Sequence, residues 1–173
     1  MIIKTKKFIL RPYRKGDEES LGKHINSKEV SRFMSTVPFP YKMSDAHYWI
    51  KHNSKLDKLK NKKEINFAIE ISNSVVGGIG LMHIAKNHKA EIGYWLGRKY
   101  WGKGIMTEAI KIIVDYAFNQ LKLRRVYAKA FIKNKPSVRV LEKNDFKLEG
   151  ILKKELPKNN KFFDVYIYAK IKS

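Results

Sequence analysis

Residues 91–109, EIGYWLGRKYWGKGIMTEA, decide the fold of this chain. The first six residues form an apolar run that predicts a strand. Apolar residues then recur at helical spacing, at Ile105, Ala109, Ile112, Ile113, Tyr116 and Ala117. The glycine loop between them predicts free backbone N–H groups at the positive end of a helix dipole, where an anion such as a phosphate can bind. Gly102 and Gly104 carry no Cβ, so the backbone can approach such a ligand closely.

Three interpretations of this loop compete. The segment from Gly97 to Lys103 matches the nucleotide-binding pattern G-x-x-x-x-G-K-[ST], but Gly104 stands where that pattern needs a hydroxyl group to bind Mg²⁺. No later apolar strand ends in an Asp that could supply a second metal ligand. The second interpretation is the pyrophosphate of coenzyme A, held by backbone N–H groups without a metal. The third is a tight turn that binds no ligand, in which the glycines only allow the backbone to turn. This interpretation stays open because a short G-x-G is a weak pattern.

Length and composition are typical of one globular domain. The chain has 173 residues, of which 43% are hydrophobic, and this is enough to build a core. No apolar run approaches the roughly 20 residues that span a bilayer, and the basic N-terminus lacks the pattern of a signal peptide. Cysteine is absent, which excludes disulfides, thiolate metal sites and a cysteine nucleophile. We expect a cytoplasmic protein without membrane association.

The net charge of +21 arises from 37 Lys and Arg residues against 16 Asp and Glu residues. Such a charge attracts polyanions such as ribosomal RNA, or acidic substrates. The lysines are spread along the chain rather than clustered, and no aromatic-interleaved RNA-binding motif is present. We therefore favour the simpler interpretation that lysine solvates the surface, and keep weak ribosome or RNA association as an alternative.

The remaining pattern predicts strands and helices in alternation. Predicted strands are 8–13, 65–71, 75–84, 91–96, 125–132, 147–155 and 162–170, and predicted helices are 17–25, 44–60, 103–121 and 136–143. Asp17 and Ser44 are the expected N-caps of the first two helices. Residues 36–43, with two prolines, predict an irregular loop. This order predicts an α/β domain with a mixed sheet and helices on both faces.

Two motifs resemble the GNAT N-acetyltransferase superfamily. Residues 99–104 (KYWGKG) resemble its acetyl-CoA loop, [QR]-x-x-G-x-[GA], with Lys99 in place of Gln or Arg. Residues 134–146 (NKPSVRVLEKNDF) resemble its N-x-x-S-x-x-x-x-E-K-x-G-F block, with Asp145 in place of Gly. Residues 8–12 and 163–168 resemble the first and last strands of the Rim-type branch, which acetylates ribosomal-protein N-termini. The resemblance extends over essentially the whole chain.

This resemblance implies a single GNAT domain over residues 1–173. Its sheet is mixed and mostly antiparallel, and two splayed central strands admit acetyl-CoA, which serves as cosubstrate without a metal. The pantetheine arm is expected along the central strand, and the pyrophosphate on residues 101–107. The implied coenzyme contacts are Tyr94, Trp95, Leu96, Lys99, Trp101, Gly102, Lys103, Gly104, Ile105, Met106, Thr107, Asn134 and Ser137.

The same resemblance suggests the catalytic groups. Ser137 is the candidate general acid that protonates the CoA sulfur, because Rim-type enzymes carry Ser at this position of the N-x-x-S block. Many other GNAT enzymes use a Tyr seven residues after the Asn, and this chain has Leu141 there. A first-turn helix residue is the alternative role for Ser137. Glu155 is the first candidate for the general base and Glu91 the second, provided that burial favours proton uptake. Both could instead be surface carboxylates, with water as the base.

We expect an enzyme that moves an acetyl group from acetyl-CoA to a protein N-terminal amine, as a monomer or homodimer. A small-molecule amine is the alternative acceptor, and a non-catalytic RNA- or ribosome-associated module is the alternative of another class. His47 and His52 are expected on a solvated helix face, and the five histidines show no metal-binding spacing. Tyr48 and Trp49 could line the acceptor pocket, although core packing is the favoured role for Trp49.

Overall fold

The computed structural model describes residues 1–172 and contains eight strands and five α-helices. The strands are β1 (Ile3–Lys4), β2 (Ile9–Arg11), β3 (Ile65–Ile71), β4 (Ser74–Ala85), β5 (Lys89–Leu96), β6 (Arg125–Phe131), β7 (Lys147–Lys158) and β8 (Lys161–Ile171). The helices are α1 (Glu18–Ile25), α2 (Lys28–Ser31), α3 (Met43–Asp57), α4 (Ile105–Asn119) and α5 (Lys135–Glu142), and a 3₁₀ turn covers Arg98–Tyr100.

All eight strands form one sheet in the order β1-β2-β3-β4-β5-β6-β8-β7. Six neighbouring pairs are antiparallel, and the central pair, β5 with β6, is parallel. The predicted fold class, a mixed and mostly antiparallel sheet in an α/β domain, is confirmed.

The central pair separates after a short contact. β5 and β6 are paired only at Lys89 with Arg125, Ala90 with Val126 and Glu91 with Tyr127. Beyond these residues, no register pair joins the two strands in the described chain, although β5 remains paired with β4 as far as Leu96. The edge of β5 that faces β6 is therefore free of sheet partners from residue 92 to residue 96, as the splayed arrangement requires.

Helices cover both faces of the sheet. The larger core lies under α4, where Ile110 and Ile113 pack with residues such as Phe67 and Ile69 of β3. Ala68, between those two residues, points to the opposite face and packs with Leu21 of α1 and Ile50 of α3. This alternation is the period of two expected for a strand that is buried on both faces.

Element boundaries differ from the sequence predictions in places. α4 begins at Ile105 rather than Lys103, because Lys103 and Gly104 belong to the loop. α3 begins at Met43, and the carboxylate of Asp45 accepts the backbone N–H of Lys42 at 2.7 Å, so the Ser44 cap was wrong. The pattern did not predict β1 or α2, which are only two and four residues long.

Asp17 holds the N-cap position of α1, but its side chain does not cap the helix. Its carboxylate accepts two hydrogen bonds from the Arg11 guanidinium, at 2.7 and 2.8 Å, and one from the backbone N–H of Arg14. Arg11 also donates to Glu70 at 2.5 Å, and all three side chains are buried. This ion network joins β2, α1 and β3.

Within residues 1–172, the helices are all too short or too polar to cross a membrane.

Candidate active site

A tight loop connects β5 to α4. Gly102 and Gly104 have φ values of 75° and 73°, in the left-handed region that a side chain with a Cβ rarely adopts. Gly104 is the residue immediately before the helix. The two glycines therefore allow the chain to turn sharply into α4, and they add no Cβ to the surface of the loop.

The loop and the first turn of α4 present a run of free N–H groups. The first bond into the helix is from Glu108 N–H to the Gly104 carbonyl, at 3.1 Å. In the part of the chain that the structure describes, the N–H groups of residues 102–107 have no protein acceptor. Trp101 is an exception to the predicted set, because its N–H donates to the Arg98 carbonyl. Six consecutive unpaired donors at a helix N-terminus suit an anion such as a pyrophosphate.

Side chains around this loop fix its position and add positive charge. The Trp101 indole N–H donates to the Leu96 carbonyl at 2.7 Å and so ties the loop to the end of β5. Lys99 and Lys103 are exposed. Lys7, which the sequence analysis did not include, lies where its ammonium group would be 3.3 Å from a Cβ on Gly104. Its ion pair with Glu108, at 3.7 Å, places Lys7 beside the free N–H groups of residues 102–107.

A cavity of about 570 Å³ opens on the face of the sheet that carries α1 and α3. Most of its wall is apolar or aromatic, with side chains that include Tyr13, Phe33, Tyr41, Tyr48, Trp49, Trp95 and Phe131. Asp45 and Glu91 are the carboxylates on its wall, and Lys129, Asn134 and Ser137 are further polar residues there. The cavity thus connects the aromatic pocket to the gap between β5 and β6.

The gap holds a pair of hydroxyl groups. The Tyr94 phenol and the Ser137 hydroxyl lie 2.7 Å apart, and burial raises the pKa of Tyr94 to about 12. Ser137 is in the first turn of α5, and its N–H donates to Asn134 Oδ1 at 3.3 Å. Asn134 therefore acts as a helix cap, and this bond fixes the start of α5 against the gap.

The two candidate bases meet at a single lysine. Lys129 Nζ lies 2.6 Å from Glu155 Oε1 and 3.9 Å from Glu91 Oε2. Burial lowers the pKa of Lys129, but the hydrogen bond that Lys129 donates to Glu155 and the charges of Glu91 and Glu155 outweigh burial, so the pKa is raised. The lysine therefore stays charged and holds both carboxylates near it. The sequence analysis did not identify Lys129, because only the strand order brings it to them.

Other predicted site residues have mixed outcomes. Tyr48 and Trp49 both line the cavity, and Trp49 also packs against the core on that face. Of the two histidines expected on a solvated face, His47 is exposed, whereas His52 is only partly exposed, because its ring stacks on Trp49 and lies 3.4 Å from Glu64. Asn134, Ser137, Tyr94 and Glu91 lie around one cavity.

Comparison with known proteins decides the family. Residues 7–147 match the acetyltransferase (GNAT) domain. The chain belongs to the GNAT acetyltransferase family. A relative from Bacillus licheniformis, the uncharacterised N-acetyltransferase p20, is 31% identical over 97% of this chain and 94% of its own. The Escherichia coli (strain K12) ribosomal-protein-serine acetyltransferase is 35% identical over 61% of this chain and 59% of its own.

A solved acetyltransferase structure supports the same conclusion. The microcin C7 self-immunity acetyltransferase, in complex with acetyl-CoA and AMP, is 28% identical, with a TM-score of 0.86 over 96% of this chain and 93% of that one. The predicted GNAT family is confirmed, and the relatives include the ribosomal-protein branch. This chain is therefore an N-acetyltransferase, and acetyl-CoA is its cosubstrate.

Proposed function

We propose that this N-acetyltransferase acetylates the α-amine of a protein N-terminus. The observation that carries the proposal is one cavity that joins the Tyr94–Ser137 hydroxyl pair to an open pocket with aromatic walls. Such a pocket can receive the first residues of an extended peptide while the amine reaches the gap between β5 and β6. The relationship to a ribosomal-protein-serine acetyltransferase supports the same acceptor class.

The geometry of the gap and the loop supports the proposed coenzyme contacts. The free N–H groups of residues 102–107 are suited to the pyrophosphate, and Lys7, Lys99 and Lys103 supply positive charge nearby. The unpaired edge of β5 over residues 92–96 is suited to the amide groups of the pantetheine arm, in the manner of an added strand. Acetyl-CoA supplies the thioester, and these backbone groups orient its carbonyl.

Ser137 is the proposed general acid. Its hydroxyl borders the cavity and is held by the Tyr94 phenol, which remains protonated because burial raises its pKa to about 12. A departing thiolate needs one proton, and Ser137 can donate it while Tyr94 donates to Ser137 in turn. Leu141 occupies the position where many relatives carry a tyrosine acid, and Tyr94 brings a phenol to the gap from β5 instead.

Glu91 is the proposed general base, in preference to Glu155. Glu91 lies on the cavity wall, whereas Glu155 is bonded to Lys129 at 2.6 Å and is not among the lining residues. A base must reach the proton that it removes, either directly or through one water molecule. Lys129 orients both carboxylates and repels a protonated amine, which favours the neutral form of the acceptor.

Charge argues against a polyamine acceptor. The cavity wall has two carboxylates, Asp45 and Glu91, and Glu91 already faces Lys129. With a net charge of +21, the protein repels a polycation and attracts an acidic peptide. We further propose a cytoplasmic, single-domain enzyme that acts as a monomer or homodimer. Weak association with ribosomal RNA would then result from overall charge rather than from a dedicated site.

The test is release of CoA thiol, measured with a thiol-reactive dye and acetyl-CoA. The acceptors are peptides that begin with Ser, Ala or Thr, the same peptides with blocked N-termini, and a set of small amines. The chain has no cysteine, so the protein adds no background signal. We expect release with free peptides only. Release with small amines alone would contradict the acceptor class. RNA binding without any acetyl transfer would support the non-catalytic alternative instead.

A further inference from the structure

A bulge in β4 turns His83 toward the active-site face. The register between β4 and β5 shifts between Met82 and Ala85, and His83 has a left-handed φ of 51°. Before the bulge, Leu81 packs into the core under α4 and Met82 lines the cavity; after it, Ile84 packs against that same core. In a regular strand, residue 83 would occupy the core side and residue 84 would not. The bulge therefore inverts the alternation and places His83 beside Met82.

This position brings His83 to the proposed base. His83 Nδ1 lies 3.4 Å from Glu91 Oε2, and the imidazole side chain is 72% exposed while that of Glu91 is 14% exposed. The other charged or titratable groups that face this pair are Tyr127 and Lys129 of β6 and Glu155 of β7. Within this cluster, the side chain of His83 has the largest exposed fraction.

Acetyl transfer to a protonated amine releases one proton. The acceptor ammonium loses two protons as its nitrogen bonds to the acetyl carbon, and the carbon–sulfur bond of the thioester breaks. The departing sulfur takes up one proton and becomes the CoA thiol, and the other must leave the site. Glu91 can accept this proton, but its side chain is largely enclosed, and Lys129, already protonated, cannot take it.

We propose that His83 carries this proton from Glu91 to solvent. The carboxylic acid of Glu91 passes the proton to His83 Nδ1, and the imidazolium then loses its Nε2 proton to water or buffer. Exchange of the remaining ring proton with solvent restores the tautomer whose Nδ1 can accept the next proton. Imidazole suits this role because it changes charge between about pH 5 and 8. The inference rests on the proposed function, with Glu91 as the base. It makes His83 a relay residue that acts through Glu91 and does not touch the acceptor.

The test compares His83→Ala with His88→Ala in CoA release at neutral pH and low buffer concentration. His88 is exposed on the turn of the same hairpin, so its replacement is a matched control. We expect kcat of His83→Ala to fall about tenfold, below the 10²–10⁴-fold effect of a direct acid or base. Added imidazole should restore it, and KM for acetyl-CoA should not change. In a Glu91→Gln background, His83→Ala should have no further effect.

Each other outcome overturns the relay. Equal activity of the two histidine variants would show that the proton leaves by another route. A loss that imidazole does not restore, or that adds fully to the loss in Glu91→Gln, would assign His83 a structural role only. A wild-type enzyme that releases no CoA with any acceptor would overturn the proposed function and the relay together. An active wild type with an equally active His83→Ala variant would overturn the relay alone, so the two failures are distinguishable.

Discussion

The Tyr94 phenol and the Ser137 hydroxyl lie 2.7 Å apart and join β5 to α5 across the gap that opens between β5 and β6. The two residues are 43 positions apart in sequence. Because burial keeps the phenol protonated, the pair has a proton to donate toward the gap at any physiological pH. This hydrogen bond connects the helix that carries the proposed acid to the strand that is proposed to orient the thioester.

Removing either hydroxyl should slow the chemical step. We expect Ser137→Ala to lower kcat about 10²-fold, with little change in KM for acetyl-CoA, and Tyr94→Phe to lower it less. The double variant should resemble Ser137→Ala, since Tyr94 acts through Ser137. Steady-state thiol release with a peptide acceptor measures all three variants. Full activity of Ser137→Ala would exclude it as the acid.

The raised pKa of Tyr94 should make the unfolding free energy fall in alkaline solution. A phenol in the unfolded chain has a pKa of about 10, and burial raises that of Tyr94 to about 12. The folded protein therefore holds a proton that the unfolded chain releases, so this contribution is complete below about pH 10 and is lost as pH rises toward 12. Urea unfolding at about pH 8 and pH 11.5 measures the unfolding free energy at each pH. Between these two values, Tyr94→Phe should lose less unfolding free energy than the wild type. Equal losses would contradict the assignment.

A methyl group on Gly104 should impair coenzyme binding. Gly104→Ala forces a Cβ onto a backbone with φ of 73° and toward Lys7. We expect the dissociation constant for CoA, measured by calorimetry, to rise about tenfold, and the unfolding free energy to fall by about 1 kcal/mol. Gly150→Ala is the control, because Gly150 has no left-handed φ and no atom near its Cβ position. A similar change in CoA affinity for both variants would argue against this loop as the binding site of the pyrophosphate.

The buried ion network should depend on one arginine. Arg11→Met leaves the buried carboxylates of Asp17 and Glu70 without their main partner and should cost about 3–5 kcal/mol of unfolding free energy. Arg14 contacts the same carboxylates, but its side chain is 63% exposed, and Arg14→Met should cost no more than about 1 kcal/mol. Urea unfolding measures both variants. Similar losses would mean that the charge is shared between the two arginines.

Local sequence predicted those elements whose signals are local. β3 matches the prediction at both ends, because alternating residues lead into a turn in which Ser72 and Asn73 adopt left-handed φ values of 49° and 60°. The loop before α4 was predicted from its glycines, which have the expected conformation. The predicted start of α4 was two residues too early, because Gly104 adopts a left-handed φ of 73° immediately before the helix.

Contacts across the sheet could not be predicted in the same way. Glu91, Lys129 and Glu155 meet because β5, β6 and β7 are brought together at one end of the gap, and nothing in their residue types specifies that register. His83 reaches Glu91 through a bulge, whereas simple alternation in β4 would assign it to the opposite face. These relationships depend on tertiary structure, which the pattern of residue types does not specify.

The crystal structure of the protein with bound CoA tests the coenzyme site most directly. We expect the pyrophosphate to accept hydrogen bonds from the N–H groups of residues 102–107. The pantetheine arm should lie along β5 in the gap beside β6, with its sulfur within hydrogen-bonding distance of the Ser137 hydroxyl. A pyrophosphate bound away from this loop, or a sulfur remote from Ser137, would contradict the proposed site.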